Sequence, residues 1–309
     1  MTALVEVAAH LAPESVPIAE LAPQLGLADR ELALFQRYYG LKDVRLAPGM
    51  SMREQLVSAG RRLAGLKGNE HRVSYVISGR TIPICAKASQ HPVHEAADEL
   101  GLSHAQVFTV LQQACASGLA AVDLAGRLLA EDGDPDALAL VLTGEKTHWK
   151  RARMLPGTTV MGESSAACLV SHRGGGDVLR GYVTRTYGEY ANVDLPGAYG
   201  EEFERRYPVM LTDAIRDAVA AAGIELDDLA WILPHNVNRI SWARAAKLLD
   251  LPRSRILLDN VPVTGHCFCA DGFVNYATLR ESGRLRPGDF YLMAAVGLGA
   301  TFAAAVFRH

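Results

Sequence analysis

Apolar residues recur along this chain in two rhythms. Over residues 15–39, Leu21, Leu25, Leu32, Leu34 and Phe35 fall at helical spacing behind Ser15 and Pro17, which predicts a helix there. Residues 52–66 carry Leu56, Ala59, Leu63 and Ala64 on one helical face, and residues 90–100 form a further helix closed by Gly101. Between them, residues 73–78 are a short apolar run ending in Gly79, the pattern of a buried strand running into a loop. Residues 107–111 predict a strand, 117–130 a strongly apolar helix, and 137–142 another buried strand.

The same succession then returns. Residues 231–234 read as a strand entering a loop, 241–249 as a helix, 256–258 as a strand, 272–282 as a helix and 290–295 as a strand. Corresponding elements lie about 150 residues apart, which predicts an internal duplication. Alternating strands and helices imply mostly parallel sheets covered by helices, an α/β fold. The glycine triplet 174–176 and the polar segment 188–204 are the predicted breaks, giving an N-terminal half over 1–172 and a C-terminal half over 173–309.

Composition narrows the function. A chain of 309 residues with 49% apolar residues can bury a large core, and a net charge of -3 offers no global attraction to nucleic acid or an anionic membrane. The first residues have no basic region before an apolar stretch, and no run of about 18 uncharged apolar residues occurs, so neither a signal peptide nor a membrane span is expected. Five cysteines (85, 115, 168, 267 and 269) without framework spacing suit a reducing, cytoplasmic compartment.

One of those cysteines is placed for chemistry. Cys115 sits in Gln112-Gln113-Ala114-Cys115-Ala116-Ser117-Gly118, between a predicted strand and an apolar helix. The positive end of such a helix favours a thiolate, and the small neighbours leave room for a substrate. His235, in Pro234-His235-Asn236-Val237-Asn238, follows a strand of the second half and so faces the crevice where α/β sheets place ligands. Asn238 is expected to orient that ring or join the site. His266 follows Gly265 and is expected to present a second imidazole to Cys115. His266, Cys267 and Cys269 also invite a metal reading, which the missing second cysteine pair disfavours; no metal is expected. The glycine-rich turn over 297–299 can aim backbone N–H groups, including those of Leu298 and Gly299, at an oxyanion together with the N–H of Cys115. The turn opens no helix with phosphate-loop spacing, which argues against nucleotide binding.

Taken in order, these pieces resemble the ketoacyl-acyl-carrier-protein synthase III branch of the thiolase superfamily. The resemblance runs through the Ala-Cys-Ala-Ser-Gly elbow, Gly162-Glu163-Ser164-Ser165-Ala166-Ala167, His235-x-x-Asn238, the turn at Gly265, and Gly288-Asp289-Phe290-Tyr291-Leu292 with its later Gly-x-Gly. It implies a layered αβαβα sandwich of two duplicated halves, a homodimer, and no resident cofactor, with acyl-CoA or an acyl carrier protein as substrate. Two departures stand out. His266 occupies the place where the family has an asparagine after glycine, giving a Cys-His-His set closer to the elongating synthases. Gly-Glu-Ser-Ser replaces the usual Gly-Asp-Gly-Ala, a change expected to affect packing.

The reaction expected is acyl transfer onto Cys115 followed by decarboxylative Claisen condensation, in fatty acid or polyketide-type biosynthesis, with His235 and His266 donating to the enolate oxygen. The alternative is transfer of the acyl group to an alcohol or amine, with one imidazole as general base. A silent partner subunit would lack the nucleophile, and a thiolase releasing coenzyme A is the remaining reading. Arg239, Arg244 and Arg151 are the candidates for docking an acidic carrier protein.

Overall fold

The computed structural model describes residues 1–83, 89–146, 150–191 and 198–309, with backbone only at 150, 151, 198 and 199. Its frame is one mixed sheet of nine strands: β1 (Ala3–His10), β2 (Val73–Gly79), β3 (Gln106–Val110), β4 (Leu138–Thr143), β5 (Ser165–Ser171), β6 (Asp177–Thr186), β7 (Leu229–Leu233), β8 (Phe290–Gly297) and β9 (Thr301–Arg308). Their spatial order is β7-β8-β9-β6-β1-β5-β4-β2-β3. β2 pairs in parallel with β3 and β4, and β7 in parallel with β8. The remaining neighbours are antiparallel. The two blocks of strands join through a short β1–β6 seam, at Ala3 opposite Val178 and Leu4 opposite Asp177.

The helices divide into three layers. α1 (Met52–Gly60) and α2 (Pro92–Glu99) cover one block of strands. α4 (Ala198–Ala222) and α5 (Arg239–Leu249) cover the other. Between the blocks lie α3 (Ser117–Asp132) and α6 (Asp271–Glu281), whose Leu119, Val122, Leu129, Phe273 and Tyr276 share one core with both sets of strands. This is the thiolase-like αβαβα sandwich. α3 packs against strands on both sides over most of its surface, which is why it reads as strongly apolar in sequence, with Arg127 on its one exposed edge.

Several elements differ from the sequence expectation, each for a local reason. The helix expected over 15–39 is broken: Glu14–Pro17 is extended, Ile18–Leu25 is helical, and Gly26 at φ 73° stops it. The helix expected over 52–66 ends at Gly60, with only a short 3₁₀ turn at Ala64–Leu66; its start is capped by Ser51 and Glu54. Residues 256–258 supply one bridge, Ile256 to Ile232, instead of a strand. The polar segment 188–204, expected as a break, runs into α4, an outer helix with one exposed charged face; its residues 192–197 lie outside the described ones. Glu163, from the departing Gly-Glu-Ser-Ser stretch, is buried, pairs with Lys146 Nζ at 2.7 Å and accepts from Ala47 N–H at 2.9 Å. That pair anchors the segment around Ala47 to the core.

Candidate active site

The chain turns sharply into α3, and Cys115 sits on the turn. A 3₁₀ turn spans Ala114–Ala116 directly before the helix. Ala114 has φ 46°, left-handed backbone that an L-residue with a side chain adopts only when its surroundings hold it. Phe268 (φ 53°) and Ala300 (φ 60°) are likewise left-handed, so three strained positions belong to the turns that frame the site.

Two glycines let those turns meet. A Cβ on Gly118 would lie 2.9 Å from the Cys269 carbonyl oxygen, and one on Gly297 would lie 2.0 Å from the Gln113 carbonyl oxygen. Any side chain there would push apart the nucleophile turn, the Cys269 turn and the β8–β9 turn. The oxyanion candidates Leu298 and Gly299 follow Gly297 in this last turn; the Leu298 side chain is 47% exposed, leaving only the backbone of that residue to serve a buried site.

Cys115, His235 and His266 are brought together. His266 Nε2 lies 3.4 Å from Cys115 Sγ, and the two imidazole centroids are 6.1 Å apart. All three residues are buried. Cys115 and His235 border a small cavity whose wall includes Asp271, Leu119, Phe273, Met293 and Ala294. Apolar lining strengthens every charge interaction inside it.

Behind His266 stands Asp271, the first residue of α6, which the sequence reading did not single out. Its Oδ2 meets His266 Nδ1 at 2.5 Å and accepts from Asn236 N–H at 2.5 Å, while Oδ1 accepts from Cys267 N–H at 2.7 Å. A carboxylate so supplied is fixed in orientation, and it fixes the ring. Burial lowers the His266 pKa, but Asp271 and then Cys115 more than reverse this and carry it to about 10. His235 goes the other way. Burial, then the neighbouring His266, push it down to about 3, against the Ala294 backbone beside it. The two rings are thus shifted in opposite directions around a single sulfur, His266 towards the cation and His235 towards the neutral form, and pKa values pushed apart are what separate acid and donor roles in such sites.

His235 has its own unforeseen partner. Tyr207, half-buried on α4, places its Oη 2.7 Å from His235 Nε2, and Trp242 Nε1 donates to the His235 carbonyl at 2.9 Å. Asn238 has a duty different from the one expected. Its Oδ1 caps α5 by accepting from Ser241 N–H at 2.8 Å, and its Nδ2 donates to the Thr158 carbonyl at 3.2 Å, so it orients the helix and not the ring. Cys267 Sγ faces the Thr264 carbonyl and Cys269 Sγ the Ala114 carbonyl; Cys115, Cys168, Cys267 and Cys269 are free thiols, and Cys85 lies outside the described residues. No group of three metal-ligating side chains occurs among the described residues. Arg239 and Arg244 are exposed on α5, the first with its stem over Gly40; the side chain of Arg151 lies outside the described residues. No described helix is long and apolar enough to cross a membrane.

The chain is similar in part of its sequence, and in its fold, to known proteins. Residues 219–309 match the family described as 3-oxoacyl-[acyl-carrier-protein] synthase III, C-terminal. A beta-ketoacyl-[acyl-carrier-protein] synthase III of Rhizorhabdus wittichii is 32% identical over 112 residues, 36% of this chain and 34% of the relative. The chain thus spans about a third of that relative's length. The synthase III of Bartonella bacilliformis matches more broadly, 26% identical over 250 residues and 74% of each chain. The solved structure of ChlB3, an acyltransferase, superposes with a TM-score of 0.86 at 20% identity over 99% of this chain and 97% of its own, which shows the shared fold. The sequence matches thus place residues 219–309 beside the C-terminal region of the synthase III family, and the strand order and layered helices agree with the fold of ChlB3.

Proposed function

We propose that the protein is an acyl-thioester-dependent acyltransferase that loads an acyl group on Cys115 and then extends it by decarboxylative condensation. In the first half, the Cys115 thiolate attacks a thioester carbonyl. The new C–S bond forms as the old one breaks, and His266 gives its proton to the departing thiol. In the second half, a malonyl-type thioester loses CO₂, its enolate carbon attacks the acyl carbonyl, and the Cys115 thiolate is released. His266, reprotonated from solvent, and neutral His235 donate to the developing enolate oxygen, each such donor contributing roughly 10²- to 10³-fold.

The observation that carries condensation is the placing of His266 between Asp271, 2.5 Å from Nδ1, and Cys115 Sγ, 3.4 Å from Nε2, which raises the His266 pKa and favours the protonated ring. A ring kept protonated is a donor, as an enolate requires. The second reading, transfer to an alcohol or amine, is favoured by the same carboxylate at another moment. Once His266 has given up its proton, Nε2 is a bare acceptor oriented by Asp271, the arrangement of a general base. Assays for CO₂ release from a malonyl thioester and for ester formation with added alcohols separate them. His266→Asn keeps an N–H donor and removes both the loading acid and the base, so loading slows but decarboxylation by enzyme already acylated survives under the first reading. Robust ester formation without CO₂ release by the parent protein would overturn it.

The remainder of the proposal follows from this chemistry. The acyl donor is acyl-CoA or an acyl carrier protein, the backbone N–H groups of Cys115 and the 297–299 turn hold the oxyanion, and the assembly is a homodimer in the cytoplasm. A nucleophile half over 1–172 and a histidine half over 173–309 divide the work.

A further inference from the structure

The Cys115 sulfur has another polar neighbour, unused by the scheme above. Thr81, two residues beyond the end of β2, places its hydroxyl 3.3 Å from Cys115 Sγ. The same hydroxyl lies 3.6 Å from Cys269 Sγ. Cys269 sends its own S–H to the Ala114 carbonyl at 3.2 Å, and the Thr81 hydroxyl donates to the nearer sulfur, that of Cys115. The position of Thr81 is fixed from behind. Buried Glu145 accepts the backbone N–H of Thr81 through Oε1 and that of Ile82 through Oε2, the latter at 2.7 Å.

We propose that Thr81 is a further catalytic residue, its hydroxyl donating to the Cys115 thiolate beside His266, and that Glu145 is the residue that positions it. The inference rests on Cys115 being the nucleophile, and on nothing about the second half-reaction. A thiolate held by His266 alone can rotate about its Cα–Cβ bond. A second donor on a fixed backbone aims the sulfur and stabilises its charge, because hydrogen bonds to ionised acceptors are the strong ones. No bond to Thr81 forms or breaks. As charge leaves sulfur for the carbonyl oxygen, the hydroxyl keeps its proton. The titratable groups around this sulfur are His266 with Asp271, Cys269, Tyr207 and Glu145. Burial holds the Glu145 carboxyl up at about 7, with the Thr81 and Ile82 N–H groups opposing.

The test is alkylation of Cys115 by iodoacetamide in the full chain, followed site by site by peptide mass, for wild type, Thr81→Val, Thr81→Ser and Glu145→Gln. Valine keeps the shape and loses the donor. The expected result is a pH profile displaced upward by about one unit and a roughly tenfold slower reaction at neutral pH, the equivalent of one charge-assisted hydrogen bond. Serine should restore the wild-type profile, and Glu145→Gln should lie between. Circular dichroism establishes that each variant is folded. A Thr81→Val profile identical to wild type, or equal losses in Val and Ser, would overturn the inference while leaving Cys115 as nucleophile. A wild-type Cys115 that stays inert would instead overturn the nucleophile reading, and this inference with it.

Discussion

Nδ1 of His266 lies 2.5 Å from Oδ2 of Asp271, and that contact sets what His266 can do. An ionised carboxylate only accepts, so Nδ1 must carry a proton. Nε2, the atom facing Cys115 Sγ, then bears a proton only when the ring is cationic. The cation supports a thiolate or an enolate, and the neutral ring accepts a proton from an attacking alcohol. Asp271 thus couples the choice of reaction to one protonation state.

Asp271→Asn should therefore slow acylation of Cys115 on the order of 10²-fold or more, by analogy with the loss of tautomer control when a triad carboxylate becomes an amide. Stopped-flow release of thiol from a synthetic acyl thioester measures it. A loss of less than threefold would mean that Asp271 serves only to hold its two backbone N–H partners.

The pH dependence has opposite signs at the two rings. His266 is raised to about 10, so its imidazolium is present below that pH and acylation should fall as pH rises through it. The same shift stabilises the fold fully below the unfolded value near 6.5, and this stabilisation is lost as pH rises towards 10. His235 is depressed to about 3, so its stabilising effect is full above roughly 6.5 and lost as pH falls towards 3. Thermal melts of His235→Gln and His266→Gln against wild type should flatten the acid and alkaline slopes respectively. Unchanged slopes would contradict these assignments.

Tyr207→Phe removes the partner of Nε2 on the buried His235 ring. The unsatisfied nitrogen should destabilise the fold by about 1–3 kcal/mol. Acyl loading on Cys115 should be nearly unchanged and the second half-reaction slowed, since His235 acts there. Single-turnover loading compared with steady-state turnover separates the two, and an equal loss in both would place Tyr207 in the loading step.

Arg239 and Arg244, exposed on α5, should steer an acidic carrier protein. Replacing both by Glu should reduce acylation from the carrier protein selectively and in a salt-dependent way, leaving a small synthetic thioester unaffected. Equal loss with both donors would place these side chains in the structure or the site.

Much of this site is legible in the chain before it folds. Cys115 shows itself because small residues interrupt two apolar elements, and His235 because it ends an apolar run. Asp271 does not, since an acid in the first turn of a helix is ordinary and nothing local reveals that it meets His266. Tyr207 lies 28 residues from its partner on a helix whose early Glu201-Glu202-Phe203-Glu204-Arg205-Arg206 reads as solvated chain. Thr81 and Glu145 meet only because β2 and β4 are parallel neighbours whose ends coincide. Strand β5 escaped the sequence reading because its Ala166, Ala167 and Cys168 are small, and β1 and β6 because alternation in them is weak. Pairing, and not propensity, makes them strands.

The central claim is that an acyl group rests on Cys115 and is consumed by condensation. Intact mass spectrometry tests it on wild type and Cys115→Ala, first with a panel of acyl thioesters and then after adding a malonyl thioester, with CO₂ measured in parallel. The account predicts a single acyl adduct on wild type and none on Cys115→Ala. It predicts loss of that adduct on malonyl addition, with one CO₂ released per acyl group and a 3-oxoacyl product. An adduct on folded Cys115→Ala, or an adduct discharged without CO₂, would contradict it.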